Sequence, residues 1–212
     1  MTTIKDIIAY AKRSFSNARG SHDWEHTQRV YNLCLHIGEA EGADLEVLRI
    51  AAYLHDVGRR YEDETRGAVC HAEKGAEVAQ ALMEGYPISD HRKENLIHCI
   101  RSHRFRGDCR PVTLEAKILF DADKLDAIGA VGIGRTFLFA GEVGAKLHSP
   151  GINPEETQPY TEDDTGYREF KLKLSKIKDR MLTAEGYRMA QERHAFMEGF
   201  FERFLAEYAG QK

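Results

Sequence analysis

Apolar residues recur every three to four positions along most of this chain, and no segment alternates strictly between apolar and polar residues. The first spacing places side chains on one face of an α-helix, whereas alternation is typical of a half-buried β-strand. The pattern therefore predicts an all-α protein. We expect helices near residues 3–17, 23–41, 44–57, 71–85, 89–103, 113–140, 167–182 and 186–209.

A polar segment interrupts this helical pattern in the C-terminal half. Residues 149–165 carry three of the five prolines, which predicts a long loop near 141–166. With 212 residues, of which 42% are hydrophobic, the chain is long enough for one sizeable core. We therefore expect a single domain over 1–212, with its core at 20–140 and C-terminal helices at 167–209.

Charge and cysteine content exclude several classes of protein. A net charge of -4 argues against a general nucleic-acid binder, because such proteins usually carry a basic excess. No stretch is apolar enough for a membrane span, and the N-terminal stretch reads as an amphipathic helix, not a signal-peptide core. The four cysteines form no C-x-x-C pair, so we expect neither a zinc knuckle nor a disulfide framework. A cytoplasmic protein with no nucleic-acid or membrane partner is predicted, and self-association is left open.

Four predicted helices each direct a histidine towards the interior. His26 and His55 lie on the apolar stripes of two helices, His71 begins such a stripe, and His103 ends another. One inward histidine is more often a core residue bonded to a carbonyl. Four of them, with Asp56 beside His55, favour a metal site, because imidazole and carboxylate suit divalent transition metals. A cation would also compensate a buried carboxylate, which otherwise costs several kcal/mol.

Longer motifs around these residues resemble a known family. SHDWEHTQRV, AAYLHDVGR, HAEKGAEVA, IRSHRFRG and EAKILFDADKLDAIGAVGIGRTF follow one another over residues 20–140. In this order they resemble the HD superfamily of metal-dependent phosphohydrolases, which implies a helical HD-domain fold. The closing segment TAEGYRMAQERHAFMEGFFERF resembles the tail of one bacterial subgroup, similar to nucleoside triphosphate pyrophosphohydrolases.

The resemblance implies roles for particular side chains. The family's four metal ligands match His26, His55, Asp56 and Asp123. In relatives, the positions of His71 and His103 contact substrate phosphate or, in some branches, bind a second metal. We expect both on the substrate side, as catalytic residues together with Lys124.

Basic side chains and two further aspartates complete the expected site. The candidates for phosphate contact are Arg59 and Arg104, with Arg101 and Arg106 beside the latter. Helix geometry places Asp126 about 60° from Asp123, where it could contact substrate or orient a ligand. Asp121, displaced by about 160° from Asp123, is expected to begin the helical turn or to face solvent.

The implied activity is metal-dependent hydrolysis of a phosphate ester or anhydride in a small phosphorylated substrate. A nucleoside triphosphate, cleaved to the monophosphate and pyrophosphate, is the favoured substrate. Manganese is the favoured metal, with iron, cobalt, nickel, zinc and magnesium as alternatives. The rival functions are a phosphodiesterase or phosphatase for cyclic nucleotides or small phosphoesters, a metal-bearing nucleotide sensor without turnover, and a purely structural metal site. Arg59 replaces an acidic residue of relatives that hydrolyse guanosine tetraphosphate or deoxynucleoside monophosphates, which disfavours those substrates.

Overall fold

The computed structural model of the chain describes residues 3–15, 24–104 and 109–212. All regular structure in these ranges is helical, which confirms the predicted all-α fold. The α-helices are α1 (Ile4–Ser14), α2 (Trp24–Glu41), α3 (Leu45–Leu54), α4 (Arg59–Glu64), α5 (His71–Met83), α6 (Asp90–Ser102), α7 (Leu114–Leu125), α8 (Gly129–Glu142), α9 (Gly166–Leu172) and α10 (Ala184–Tyr208). Short 3-10 helices occupy Pro154–Glu156, Leu174–Lys176 and Lys178–Arg180.

The predicted helix 113–140 is two helices, α7 and α8. The carbonyl of Leu125, the last residue of α7, accepts a hydrogen bond from Arg193. Helix α8 begins at Gly129 with φ of 78°, a conformation that other residues rarely adopt. A Cβ at Gly132 would lie 2.3 Å from the carbonyl oxygen of Ala127, so only glycine lets the chain turn this tightly. The apolar spacing continues across the turn, and spacing alone therefore missed the break.

Two other predicted helices differ from the observed ones. The predicted helix 44–57 ends at Leu54, and the six-residue α4 follows a turn. Helix α4 has the sequence RRYEDE, which carries no apolar stripe, so periodicity could not find it. The predicted helix 167–182 is the shorter α9 followed by two 3-10 helices.

The chain divides into two compact units, residues 1–123 and 124–212. This division does not decide whether the two units form the single domain expected over 1–212, which stays a prediction. In the first unit α2 packs against α3, α3 against α6, and α5 against α6, while α1 packs on α3. Fully buried aliphatic side chains form the core of this unit: Ile7, Val30, Ile37, Leu48, Leu54, Leu96, Ile100 and Leu119.

In the second unit the long loop before α9 is held by a buried arginine. Arg168 donates to the carboxylate of Asp164 at 2.7 Å and to the carbonyl of Thr157 at 3.2 Å. The hydroxyl of Ser149 donates to Asp163 at 2.7 Å. Because Arg168 and Asp164 are only 9% and 5% exposed, the loop is tied to α9 by a largely desolvated ion pair.

Replacing Arg168 by alanine is expected to destabilise the protein by about 3 to 5 kcal/mol, because it leaves the buried Asp164 carboxylate without its cation. Urea unfolding would measure the loss. Lys173→Ala is the matched control, since Lys173 forms an ion pair with Glu169 at the same spacing but is 70% exposed. The control should cost less than about 1 kcal/mol. Equal losses in the two variants would contradict the structural role of the Arg168 pair.

The structure describes all four cysteines and the lengths of the helices. All four cysteines are free thiols in the structure. Cys34 and Cys99 are buried, Cys109 is half-buried and Cys70 is exposed. Across the part of the chain that the structure describes, no helix combines the length and the apolar character needed to span a membrane.

Candidate metal centre

The turn between α3 and α4 carries His55 and Asp56. Its last residue, Gly58, allows the turn to approach the N-terminal turns of α5 closely. A Cβ at Gly58 would lie 2.1 Å from the carbonyl oxygen of His71 and 2.7 Å from the amide nitrogen of Gly75. This approach places Asp56 beside His71, the first residue of α5.

Separate segments of the first unit deliver the remaining side chains to the same place. His26 comes from α2, His103 follows directly after α6, and Asp123 lies near the end of α7. The four histidines and Asp56 are at most 1% exposed, as the apolar stripes predicted for the histidines. The side chain of Asp123 is 14% exposed, which makes it the most exposed of the six side chains of the cluster.

The cluster consists of two groups of three side chains. The ligand atoms of His26, His55 and Asp123 lie within 4.8 Å of one another, and so do those of Asp56, His71 and His103. Within each group the two histidine Nε2 atoms are 3.3 Å apart. We call them the His26 triad and the His71 triad.

Asp56 lies between the two triads. Its Oδ2 is 3.9 Å from His26 Nε2 and 3.8 Å from His55 Nε2. Its Oδ1 is 3.4 Å from His71 Nε2 and 3.5 Å from His103 Nε2. One carboxylate therefore presents one oxygen atom to each pair of imidazoles.

Three of the histidines are oriented through their other ring nitrogen. The acceptors of Nδ1 are the carbonyl of Ala52 for His55 at 2.8 Å, the carbonyl of Ile100 for His103 at 2.7 Å, and the carboxylate of Glu62 for His71 at 2.5 Å. Each Nδ1 must carry the proton, because a carbonyl or an ionised carboxylate only accepts. Burial lowers the pKa of His55 to about 4 and that of His71 to about 4. These two rings are neutral at pH 7 and direct Nε2 lone pairs into the cluster.

This donor set fits a divalent cation. The Nε2 lone pairs of His55 and His71 face the Nε2 atoms of His26 and His103 at 3.3 Å, and a cation between the two nitrogens of each pair would be bound by both rings. Imidazole nitrogen and carboxylate oxygen are the ligands that borderline transition metals take in proteins. Histidine ligands commonly donate their second N–H to a carbonyl or carboxylate, as His55, His71 and His103 do here.

An ion-pair network borders the His71 triad. Arg59 Nη2 lies 3.1 Å from both carboxylate oxygens of Asp56, and Arg104 Nη1 donates to Glu62 Oε1 at 2.6 Å. Burial raises the pKa of Glu62, but hydrogen bonds from His71 and Arg104 outweigh it, and the net pKa is lowered. Glu62 was missed by the sequence analysis. The only signal was its i+3 spacing from Arg59 in a segment with no apolar stripe.

The other predicted site residues belong to neither triad. Lys124 follows the last residue of the first unit, is half-buried, and belongs to the second unit together with Asp126. Asp126 is buried and accepts a hydrogen bond from Arg135 at 2.6 Å. Arg101 donates to a glutamate of α5 at 3.0 Å. Arg106 lies outside the described residues.

One aspartate is placed differently from its prediction. Asp121 is fully buried inside α7, seven residues after the helix begins, so the prediction that it starts a turn or faces solvent is wrong. Helix α7 is buried around most of its circumference, since Ile118, Phe120 and Ala122 are also fully buried. Helix geometry correctly separated Asp121 from Asp123, but it could not show that both faces of α7 are covered.

Three asparagine substitutions on one segment separate the roles of these aspartates. Asp123→Asn should remove bound metal, because Asp123 lies 3.4 Å from His26 Nε2 in the His26 triad. Asp121→Asn should retain metal but lower stability, since Asp121 is buried and outside both triads. Asp126→Asn should retain metal and weaken activity. Elemental analysis and turnover of the three proteins test this, and metal loss in Asp121→Asn with retention in Asp123→Asn would reverse the assignment.

Known proteins resemble this chain in sequence and in fold. Residues 23–128 match the HD domain family model. YpgQ of Bacillus subtilis is 33% identical over 97% of this chain and 94% of its own length. Its crystal structure in complex with ADP has a TM-score of 0.72 to this chain, with 31% identity, and the match covers 96% of this chain and 93% of that chain.

Two further relatives extend the comparison. An HD-superfamily hydrolase from Bacillus thuringiensis has a TM-score of 0.77 and 30% identity, with 98% of this chain and 97% of that chain covered. Ribonuclease Y of Pseudothermotoga lettingae is 33% identical over 57% of this chain, but the match spans only 21% of that enzyme. The family model and the full-length relatives lead to one conclusion. The chain belongs to the HD domain family.

Proposed function

We propose that this protein hydrolyses a nucleoside or deoxynucleoside triphosphate between the α and β phosphorus atoms and releases pyrophosphate. The observation that carries the proposal is the convergence of four histidines and two aspartates on one buried cluster centred on Asp56. A closed structural metal site would need about four ligands. This cluster offers six and borders on arginines, which favours a reaction site.

We propose that His26, His55 and Asp123 hold a divalent metal together with Asp56. Manganese is the favoured ion, and iron, cobalt, nickel, zinc and magnesium are alternatives. A divalent metal held there would supply Lewis acidity and a nucleophilic water of lowered pKa. The two carboxylates offset the charge of such an ion, so an anionic phosphate can approach the site.

The role of His71 follows from the proton on Nδ1. Its neutral ring with Nδ1–H can only accept at Nε2, so it does not donate a hydrogen bond to a phosphate oxygen from that atom. The facing Nε2 atoms and the adjacent Asp56 Oδ1 favour a second cation in the His71 triad. We propose that both histidines would hold such a cation, which would supply positive charge for the substrate phosphate.

Basic side chains at the edge of the cluster are suited to hold the polyphosphate. Arg59 keeps one buried donor, Nε, without a hydrogen-bond partner in the described part of the chain. A guanidinium binds phosphate oxygens with a planar set of N–H groups. We propose that Arg59 and Arg104 contact substrate phosphates, with Lys124 as a further cationic partner and Asp126 as an orienting residue.

The comparisons support a nucleotide as substrate. YpgQ, which matches this chain over nearly its whole length, has been crystallised in complex with ADP. The partial match to ribonuclease Y makes an RNA phosphodiester a second candidate substrate. The net charge of -4 favours the small nucleotide over a polyanion.

A panel assay tests the proposal. Metal-free protein is reloaded with Mn²⁺ and incubated with ribo- and deoxyribonucleoside triphosphates, cyclic nucleotides, small phosphoesters and a short RNA, and pyrophosphate is separated from orthophosphate. Pyrophosphate release from a triphosphate supports the proposal. Orthophosphate alone would indicate a phosphatase, and cleavage of a cyclic nucleotide or of RNA a phosphodiesterase. Tight nucleotide binding without turnover would indicate a sensor.

A further inference from the structure

Glu62 is the acceptor at which three side chains of the site meet. Its Oε2 lies 2.5 Å from His71 Nδ1 and 3.3 Å from Arg59 Nη1, and its Oε1 lies 2.6 Å from Arg104 Nη1. Arg59 and Glu62 lie three residues apart on α4, so both side chains project from one face of that helix. Glu62 belongs to none of the sequence motifs that resemble the family.

The contact with Glu62 determines which nitrogen of His71 carries the proton. An ionised carboxylate cannot donate, so Nδ1 is protonated and Nε2 keeps its lone pair. Arg104 Nη1 lies 3.5 Å from the same Nδ1, and two donors cannot bond each other. Each therefore donates to a different oxygen of Glu62.

His71 differs in this respect from the two other histidines oriented through Nδ1. His55 and His103 donate to backbone carbonyls within their own segments, three residues earlier. His71 is the first residue of α5, and that position offers no preceding helical carbonyl of the same helix. A side chain from a neighbouring helix has to supply the acceptor, and Glu62 from α4 does so.

We propose that Glu62 is a positioning residue that holds His71 as the Nδ1–H tautomer, so that the Nε2 lone pair faces Asp56 and His103. The inference rests on the proposed function of the cluster. Glu62 touches neither reacting atoms nor a metal ligand atom, since it contacts His71 only at Nδ1. Arg104 holds the second carboxylate oxygen and restrains Glu62 in this orientation. Carboxylate partners of this kind typically change metal affinity by about 10- to 100-fold when removed.

The tautomer can be measured without metal or substrate. Long-range ¹H–¹⁵N spectra of the metal-free protein distinguish Nδ1–H from Nε2–H imidazoles, and the resonances of His71 are identified by their loss in His71→Gln. We expect the Nδ1–H form in the native protein. An Nε2–H form of His71 there would overturn the proposal, whether or not any variant folds.

Substitutions at Glu62 then separate positioning from simple structural support. Glu62→Ala should lose the fixed Nδ1–H form and weaken Mn²⁺ binding by about 10- to 100-fold in calorimetric titration. Glu62→Gln keeps an accepting oxygen and should restore the tautomer and most of the Mn²⁺ affinity. Glu64→Gln is the matched control, because Glu64 lies on the same helix and pairs with Arg60 at 2.6 Å, but is 54% exposed.

The outcomes distinguish this inference from the proposed function. An unchanged tautomer or unchanged Mn²⁺ affinity in Glu62→Ala would overturn the positioning role, and so would an equal effect in Glu64→Gln. A native protein with the expected tautomer that cleaves no phosphorylated compound would overturn the proposed function and leave the inference standing. If Glu62→Ala fails to fold, Glu62→Gln provides the test instead. Loss of the Nδ1–H form of His71 in Glu62→Gln would then overturn the inference.

Discussion

Replacing Asp56 by asparagine is expected to remove the bound divalent metal and to abolish hydrolysis. Asp56 presents Oδ2 to His26 and His55 and Oδ1 to His71 and His103, so one substitution removes a charge from both triads. Loss of an outer partner of a ligand already weakens binding by about 10- to 100-fold, and loss of a shared ligand should exceed the upper value. Elemental analysis and Mn²⁺ titration of the purified variant measure the effect.

Asp63→Asn is the control for this substitution. Asp63 lies seven residues later on α4 and is exposed, so the same chemical change occurs outside the cluster. Its metal content and turnover should equal those of the native protein. Full metal content in Asp56→Asn would show that the cluster does not use this carboxylate, and the assignment of both triads would then be wrong.

Replacing Gly58 by alanine is expected to displace the turn that carries the HD dipeptide. The added Cβ would meet the carbonyl oxygen of His71 at 2.1 Å and the amide nitrogen of Gly75 at 2.7 Å, and both are backbone atoms that cannot rotate away. The φ of Gly58 is -81°, so space and not backbone conformation is the constraint. We expect a loss of about 3 kcal/mol or more, at the upper end of the range for overpacking, together with weaker metal binding.

The effect of Gly58→Ala should be compared with that of Gly134→Ala. Gly134 lies within α8, and a Cβ there would meet no atom within 4 Å. Alanine in an open helical position stabilises by about 0.5 to 1 kcal/mol. Urea unfolding and Mn²⁺ titration of both variants test the contrast. If Gly58→Ala kept native stability and metal affinity, this result would contradict the close packing of the turn at Gly58 against α5.

Local spacing was enough to predict that the protein is all-α and that four histidines point inward. The helical repeat is a property of neighbouring residues, so the inward face of α2 at His26 could be derived without knowing its partners. Burial of His26, His55, His71 and His103 agrees with this. The resemblance of the motifs added the family, which the comparisons then established.

Tertiary contacts decided what local spacing could not. Helix α4 has no apolar stripe, and the acceptor role of Glu62 depends on the distance between α4 and the start of α5. The burial of Asp121 likewise depends on the neighbours that cover a second face of α7. The division of the cluster into two triads around Asp56 depends on where the turn at Gly58 lies against α5. Sequence periodicity determined which side chains face inward, whereas the meeting of distant segments determined which atoms face one another.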